Sequence, residues 1–342
     1  MILNIFDNDA FSLASMSEAI RKVEYVPRTL GNMNLFTPEP IRTRQVGIEM
    51  KDNGINLIPL SRAGEPLHEK TFGKAKIVTF DTYRVAESTT IRADELAFLR
   101  QFGTDDQMIA AAQEEIAARQ VGPGGLIDDI DLTLEHMRLG CLMGQLIDHD
   151  GSVVEDFYNA FGIALPAEIM LDLANTAEGN LRMKIEQNII RPMRRNAKGA
   201  RFSQVLAFCG DEAWDKLMAN PEVRQSYVVQ QAGEALRAPT LDSTLQFAGV
   251  TWTNYVGTDD NTTVALEADE IRFFPGGAGN TVFRHVMSPG ETFADLGSRG
   301  QPLYSRMIID RDRDSWVKPE VLTYPTFLNT RPEMMRRGRS GA

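Results

Sequence analysis

The chain has 342 residues, 43% of them hydrophobic, enough for a sizeable core and for about two domains at roughly 150 residues each. No apolar run approaches the ~20 residues that cross a bilayer, and the first residues carry Asp7 and Asp9 where a secretory signal carries basic side chains, so a soluble protein that stays inside the producing cell is expected. A formal charge of -11 argues against tight sequence-independent nucleic-acid binding, and two distant cysteines, Cys141 and Cys209, indicate neither a disulfide framework nor a zinc knuckle but buried small hydrophobes.

Residues 1 to about 40 hold Pro27, Pro38 and Pro40 and, beyond one short helix at 12–23, no sustained period; they read as an extended arm that needs a surface to hold it. From Ile41 to about Ser88, two strand-like pieces, RTRQVGIEM and AKIVTFDTYRV, flank a polar, turn-rich middle. That predicts a long two-stranded excursion, with Asn53, Gly54 and Gly64 among its turn residues and a partner surface to lie on.

Helix follows over 105–120, stopped by GPGG at 122–125. Ile127, Ile130, Leu134, Met137 and Cys141 then recur at 3,4,3,4 spacing, predicting an amphipathic helix over 126–147, about 33 Å long. The next stretch alternates on both sides of Asp150 and Gly151, a hairpin signal; Asp148, His149 and Asp150 read as its polar turn rather than as metal ligands. A second helix over 178–191 is expected to end near Pro192. Beyond Lys198 come a strand (SQVLAFCG), a short helix (DEAWDKLMAN) and further strands, an α+β order without regular βαβ alternation.

Charge is uneven. Arg182, Lys184, Arg191, Arg194, Arg195, Lys198 and Arg201 face one acid, Glu186, within their stretch, and the tail adds four arginines. A solvated helix face is one reading; contact with an acidic neighbouring subunit or with packaged nucleic acid is the other.

Gly276, Gly277 and Gly279 in RFFPGGAGNTVFRHVM suggest a phosphate cradle, but no Lys-Ser or Lys-Thr follows and no helix opens there. The alternation from Thr281 to Met287 predicts a strand, making the glycines a hairpin between two strands. There is no GxSxG, HExxH or EF-hand loop, and His68, His136, His149 and His285 are scattered. A structural protein, with no enzyme activity and no cofactor, is the expectation.

The ordered series TRQVGIEM…KIVTFDTYRVAES, LEHMRLGCLMGQLIDHDG, FAGVTWTNYVG, EADEIRFFPGGAGNTVFRHVMSPGETFADLGSRGQPLYSR and WVKPEVLTYPTFLNTRPEMM resembles the tailed-phage major capsid protein E family over almost the full length. That family is the lambda-like branch of the Hong Kong 97-like capsid fold. The resemblance implies an N-terminal arm at 1–40 and an extended loop at 41–88, placing Lys51, Asn53, Gly54, Arg62, Gly64 and Glu65 on a neighbouring subunit. It implies a peripheral domain at 89–202 with the spine helix at 126–147, an axial domain at 203–302 and a return to the peripheral domain over 303–342.

Its implied function is self-assembly into an icosahedral shell of hexamers and pentamers around double-stranded DNA, assembled in the host cytoplasm, with expansion of a procapsid. Implied partners are other copies, a portal, a separate scaffolding protein, possible decoration proteins and DNA held by non-specific contact; no membrane is implied. The separate scaffold is expected because the chain starts directly with the arm. The alternatives are an encapsulin-like protein nanocompartment and, from another class, a nucleotide-binding enzyme using the glycine segment.

Overall fold

The computed structural model describes residues 29–50, 76–98, 115–121, 124–175, 177, 179–226, 244–258, 264–313 and 315–341. After a short helix, Thr29–Asn32, come five strands: β1 (Thr37–Pro40), β2 (Gln45–Met50), β3 (Lys76–Asp81), β4 (Val85–Ser88) and β5 (Ile91–Arg92). The long helix Leu126–Met143 leads into β6 (Gln145–Ile147), β7 (Val153–Asp156) and β8 (Ile169–Met170). The second half carries β9 (Gln204–Cys209), β10 (Thr244–Phe247), β11 (Val250–Asn254), β12 (Glu270–Gly276) and β13 (Phe283–Met287). It closes with β14 (Tyr304–Ile309), β15 (Trp316–Thr323), β16 (Pro325–Asn329) and β17 (Arg336–Arg339).

A six-stranded sheet of order β10-β11-β9-β12-β17-β8 lies between two cores. The near-continuous apolar run of β9 follows from that position, because a strand covered on both faces has no polar side. Leu206, Phe208 and Phe274 enter the core around the long helix. Their alternates Val205, Ala207, Cys209, Ile271 and Phe273 enter a second core with Leu181, Ile185, Met193 and Trp252. Ile169–Met170 and Arg336–Arg339 are strands of this same sheet, so it reaches across both expected boundaries, 202/203 and 302/303.

The long helix buries its predicted stripe, from Ile127 to Cys141, but stops at Met143 and not at Ile147. Gly144 takes a left-handed conformation, φ 87°, and its N–H caps the Cys141 carbonyl. A Cβ at Gly144 would also lie 2.2 Å from Tyr158 Cε2, so the turn needs glycine for space as well as for φ. Gln145–Ile147 then pairs with Val153–Asp156, the hairpin expected around Asp150.

The second helix runs past Pro192. An α segment Asn180–Ile185 passes through a π turn, Glu186–Ile190, into a further α segment, Arg191–Asn196. The Arg191 N–H reaches back to the Glu186 carbonyl, and this step of five restarts the hydrogen-bond register. Pro192 therefore stands in the first turn of a new α segment, where its ring and missing N–H are tolerated. Ile189 and Ile190, within the π turn, are both buried.

The glycine segment is not a hairpin. β12 pairs with β9 and β17, whereas β13 pairs with β1 and β16 in a separate three-stranded sheet. Gly276, Gly277 and Gly279 thus carry the chain from one sheet to another through a short 3-10 turn, Gly279–Thr281. Gly277 and Gly279 have φ of 67° and 57°, and a Cβ at Gly277 would meet Ser203 Oγ at 2.1 Å. These glycines serve a tight crossover and close backbone approach.

Candidate functional site

The root of the excursion is a two-stranded ladder, β2 with β3, in register from Gln45↔Asp81 to Met50↔Lys76. Among the described residues these strands pair only with each other. Val46 and Phe80 anchor the ladder in the main core, where Phe80 meets the rings of Phe157 and Phe161 edge-on at 5.6 and 5.7 Å. Ile48, Met50 and Val78 continue that inner face as partly buried side chains packed against the same core, while the opposite face is open, with Ile77 66% exposed. Lys51, Asn53, Gly54, Arg62, Gly64 and Glu65 lie outside the described residues.

The chain leading to this ladder is fixed to the body. Thr37–Pro40 pairs in parallel with Arg284–Met287, the Arg284 guanidinium binds Glu39, and Phe36 packs at 5.2 Å against both Phe283 and Phe327. The described part of the expected arm therefore docks on its own subunit.

Just before it, a short helix, Thr29–Asn32, is held by a carboxylate of the long helix. The Leu30 and Gly31 N–H groups donate to Glu135 at 2.6 and 3.3 Å. The Arg138 guanidinium donates to the same carboxylate at 3.2 Å and lies over the Phe327 ring. Tyr255 adds its hydroxyl at 3.5 Å. Burial, followed by the neighbouring Glu135 charge, holds the Tyr255 phenol well above its usual range. Glu135 is 2% exposed, so this charge is tolerated only because its donors surround it. Neither Glu135 nor Arg138 stood out in the sequence; the one local signal is their i,i+3 opposite charge beside Leu134 and Met137.

His285 stacks on the Phe327 ring at 4.4 Å, with Nε2 buried and without a hydrogen-bond partner among the described residues. Burial first, then the Arg138 charge, pushes its pKa down to about 3, so the ring is neutral at ordinary pH.

The basic stretch divides in two. Lys184 binds Asp172, Arg191 binds Glu186, Lys198 binds Glu333, and Arg182 lies over the Phe247 ring. Arg194, Arg195 and Arg201 are exposed and have no carboxylate within salt-bridge distance among the described residues. The chain thus brings Arg194 and Arg195 to one exposed helix end, while three of the other cations are engaged by the subunit's own acids.

Asp148, His149 and Asp150 bring ligand atoms within 4.8 Å of one another in an exposed turn. Asp148 accepts the His149 N–H at 2.8 Å and Asp150 accepts the Ser152 N–H at 2.9 Å, which is turn chemistry. Cys141 and Cys209 are fully buried, and burial pushes both thiols up and away from reactivity. Among the described residues no helix is long and apolar enough to cross a membrane. The geometry has the features of a subunit that offers surfaces: a ladder with one open face and no third strand among the described residues, a locked arm root and an exposed cationic helix end.

A model of the family described as phage major capsid protein E matches residues 12–340. The major capsid protein of Salmonella phage Felix O1 (isolate Felix O1-VT1) is 23% identical over 362 residues, covering 96% of this chain and 96% of that protein. Among solved structures, a protein described as a prophage capsid protein (E. coli CFT073) aligns over 78% of this chain and 79% of its own, at 13% identity and TM-score 0.50. The capsid of cyanophage P-SCSP1u aligns over 93% of this chain and 90% of its own, at 11% identity and TM-score 0.49.

Proposed function

Because the chain belongs to the phage major capsid protein E family and is a shell-forming capsid protein of Hong Kong 97-like fold, we propose that its copies close into an icosahedral shell of hexamers and pentamers around the double-stranded DNA of a tailed phage. The observation that carries this reading beyond the family is the β2–β3 ladder: one face packed on the core, the other open around Ile77, and paired with no third strand among the described residues. A two-stranded ribbon of this kind is marginal alone and gains stability by lying on another surface. In this reading residues 51–75 cross a neighbouring subunit, and Lys51, Asn53, Gly54, Arg62, Gly64 and Glu65 make the contacts.

Closed shells need heterologous, ring-closing contacts, each of which can be weak because every copy is held at several places. The peripheral unit is assigned to the core around Leu126–Met143 and the axial unit to the six-stranded sheet with its second core. Expansion of a procapsid would move these units relative to one another, with the Glu135 cluster keeping the arm root on the spine helix. A portal, a separate scaffolding protein and decoration proteins are the further partners of such a shell, which forms in the host cytoplasm.

An overall charge of -11 suits a container that must release DNA, since a uniformly basic lining would hold it. Arg194, Arg195 and Arg201 are the cations available for a neighbouring subunit or for DNA; Lys184, Arg191 and Lys198 are engaged at home. The test of the reading is whether the full chain forms shells, and whether shells are lost when residues 51–75 are replaced by a short turn.

A further inference from the structure

The connection between β13 and β14 carries two of the most exposed large apolar side chains described, Phe293 at 94% and Leu296 at 74%. Phe293 opens, and Leu296 directly follows, a single 3-10 turn, Phe293–Asp295, which is thoroughly braced. Thr292 and Asp295 form a reciprocal capping box, Arg306 donates to the Asp295 carboxylate at 3.2 Å, and the Ser298 hydroxyl donates to the Asp295 carbonyl at 2.7 Å. Both flanks are pinned too. A Cβ at Gly290 would lie 2.2 Å from Asp295 Oδ2, and the Gly300 N–H donates to the Ile41 carbonyl at 2.9 Å.

The turn is therefore organised by its polar groups, and its folding has no use for Phe293 or Leu296. A braced turn that points two large apolar side chains outward is a surface feature with a partner. Its neighbours carry both signs: Glu291 pairs with Arg44 at 3.9 Å and with Arg84 at 3.3 Å, and Arg299 is exposed. An apolar centre within a rim of mixed charge has the anatomy of a protein contact. Those ion pairs also tie the turn to the root of the excursion, since Arg44 immediately precedes β2.

We propose that Phe293 and Leu296 form a rigid apolar knob that docks on a second copy of this chain. Two side chains offer on the order of a few hundred Å², well short of the roughly 1,200 Å² that a stable pair buries. The knob cannot hold a dimer by itself and acts only beside other contacts, such as the excursion to which it is tied. That is the arrangement a shell-forming chain requires, and the inference rests on the shell-forming reading above.

The experiment compares the full wild-type chain with Phe293→Ser/Leu296→Ser, and places a photo-crosslinking phenylalanine analogue at position 293 in assembled particles. The expected result is an unchanged melting temperature for the unassembled double variant, an assembly threshold raised at least about tenfold, and copy-to-copy crosslinks from position 293. Wild-type shells with an unchanged threshold in the variant, or crosslinks only to a different protein, would overturn the knob and leave the shell reading intact. A wild-type chain that never assembles would overturn the shell reading, and the knob with it.

Discussion

The Leu30 amide donates a 2.6 Å hydrogen bond to the Glu135 carboxylate across 105 positions of the chain. This contact joins the segment entering the body from the N-terminal side to the middle of the spine helix, at a carboxylate that Gly31, Arg138 and Tyr255 share. Removing the carboxylate leaves the buried Leu30 amide, the part-buried Gly31 amide and the buried Arg138 charge without it. Glu135→Ala should destabilise the unassembled chain by about 3–5 kcal/mol, and Glu135→Gln, which retains one carbonyl acceptor, by less. Denaturant unfolding of the unassembled chain measures both. Equal stability of wild type and Glu135→Ala would show that the cluster is not a lock.

The cap of the spine helix gives a paired comparison. Gly144 and Gly151 both have positive φ, 87° and 81°, but only Gly144 faces an obstacle, Tyr158, whereas nothing lies within 4 Å of a Cβ at Gly151. Gly151→Ala should cost roughly 1–2 kcal/mol, the strain of a left-handed backbone. Gly144→Ala should cost more in the same assay, because the Tyr158 ring must also move. A smaller loss at Gly144 would contradict the packing described.

His285 predicts a pH dependence with a definite sign. Its pKa falls from 6.5 in the unfolded chain to about 3 in the fold. Below 6.5 the unfolded chain takes up a proton that the folded one refuses. The contribution to stability is thus intact above pH 6.5 and is lost progressively as pH falls towards 3, at up to about 1.4 kcal/mol per unit. His285→Phe, which keeps a ring on Phe327, should remove that one-proton slope between pH 6.5 and 5. Identical slopes in the two proteins would place the imidazole in a more solvated site than the structure gives it.

Arg194 and Arg195 test the cationic helix end. Neutralising both should lower shell yield or alter DNA retention, in a manner that weakens with rising salt. Neutralising Arg191, which already pairs with Glu186, should do less. Unchanged yield and stability in the Arg194/Arg195 variant would return that stretch to an ordinary solvated face.

Local pattern carried much of this fold. The stripe from Ile127 to Cys141 announced the spine helix, and the alternation around Asp150 announced its hairpin. What local pattern lacked was partner choice. The strands flanking Gly276–Gly279 were legible, yet nothing in their own residues says that β12 pairs with Gln204–Cys209 while β13 pairs with Thr37–Pro40, some 245 positions away in the Arg284–Glu39 contact.

Pro192 misled for a related reason. Its penalty applies inside a regular α-helix, and the π turn before it changes the register it meets. Glu135 was invisible because a charged helical residue reads as solvated until the amides that surround it are known.

The most direct measurement is sedimentation with negative-stain imaging of the full chain recovered from expressing cells. The account predicts hollow shells or sheets of capsomers. A compact monomer at every concentration, even with the cognate scaffolding protein co-expressed, would contradict it.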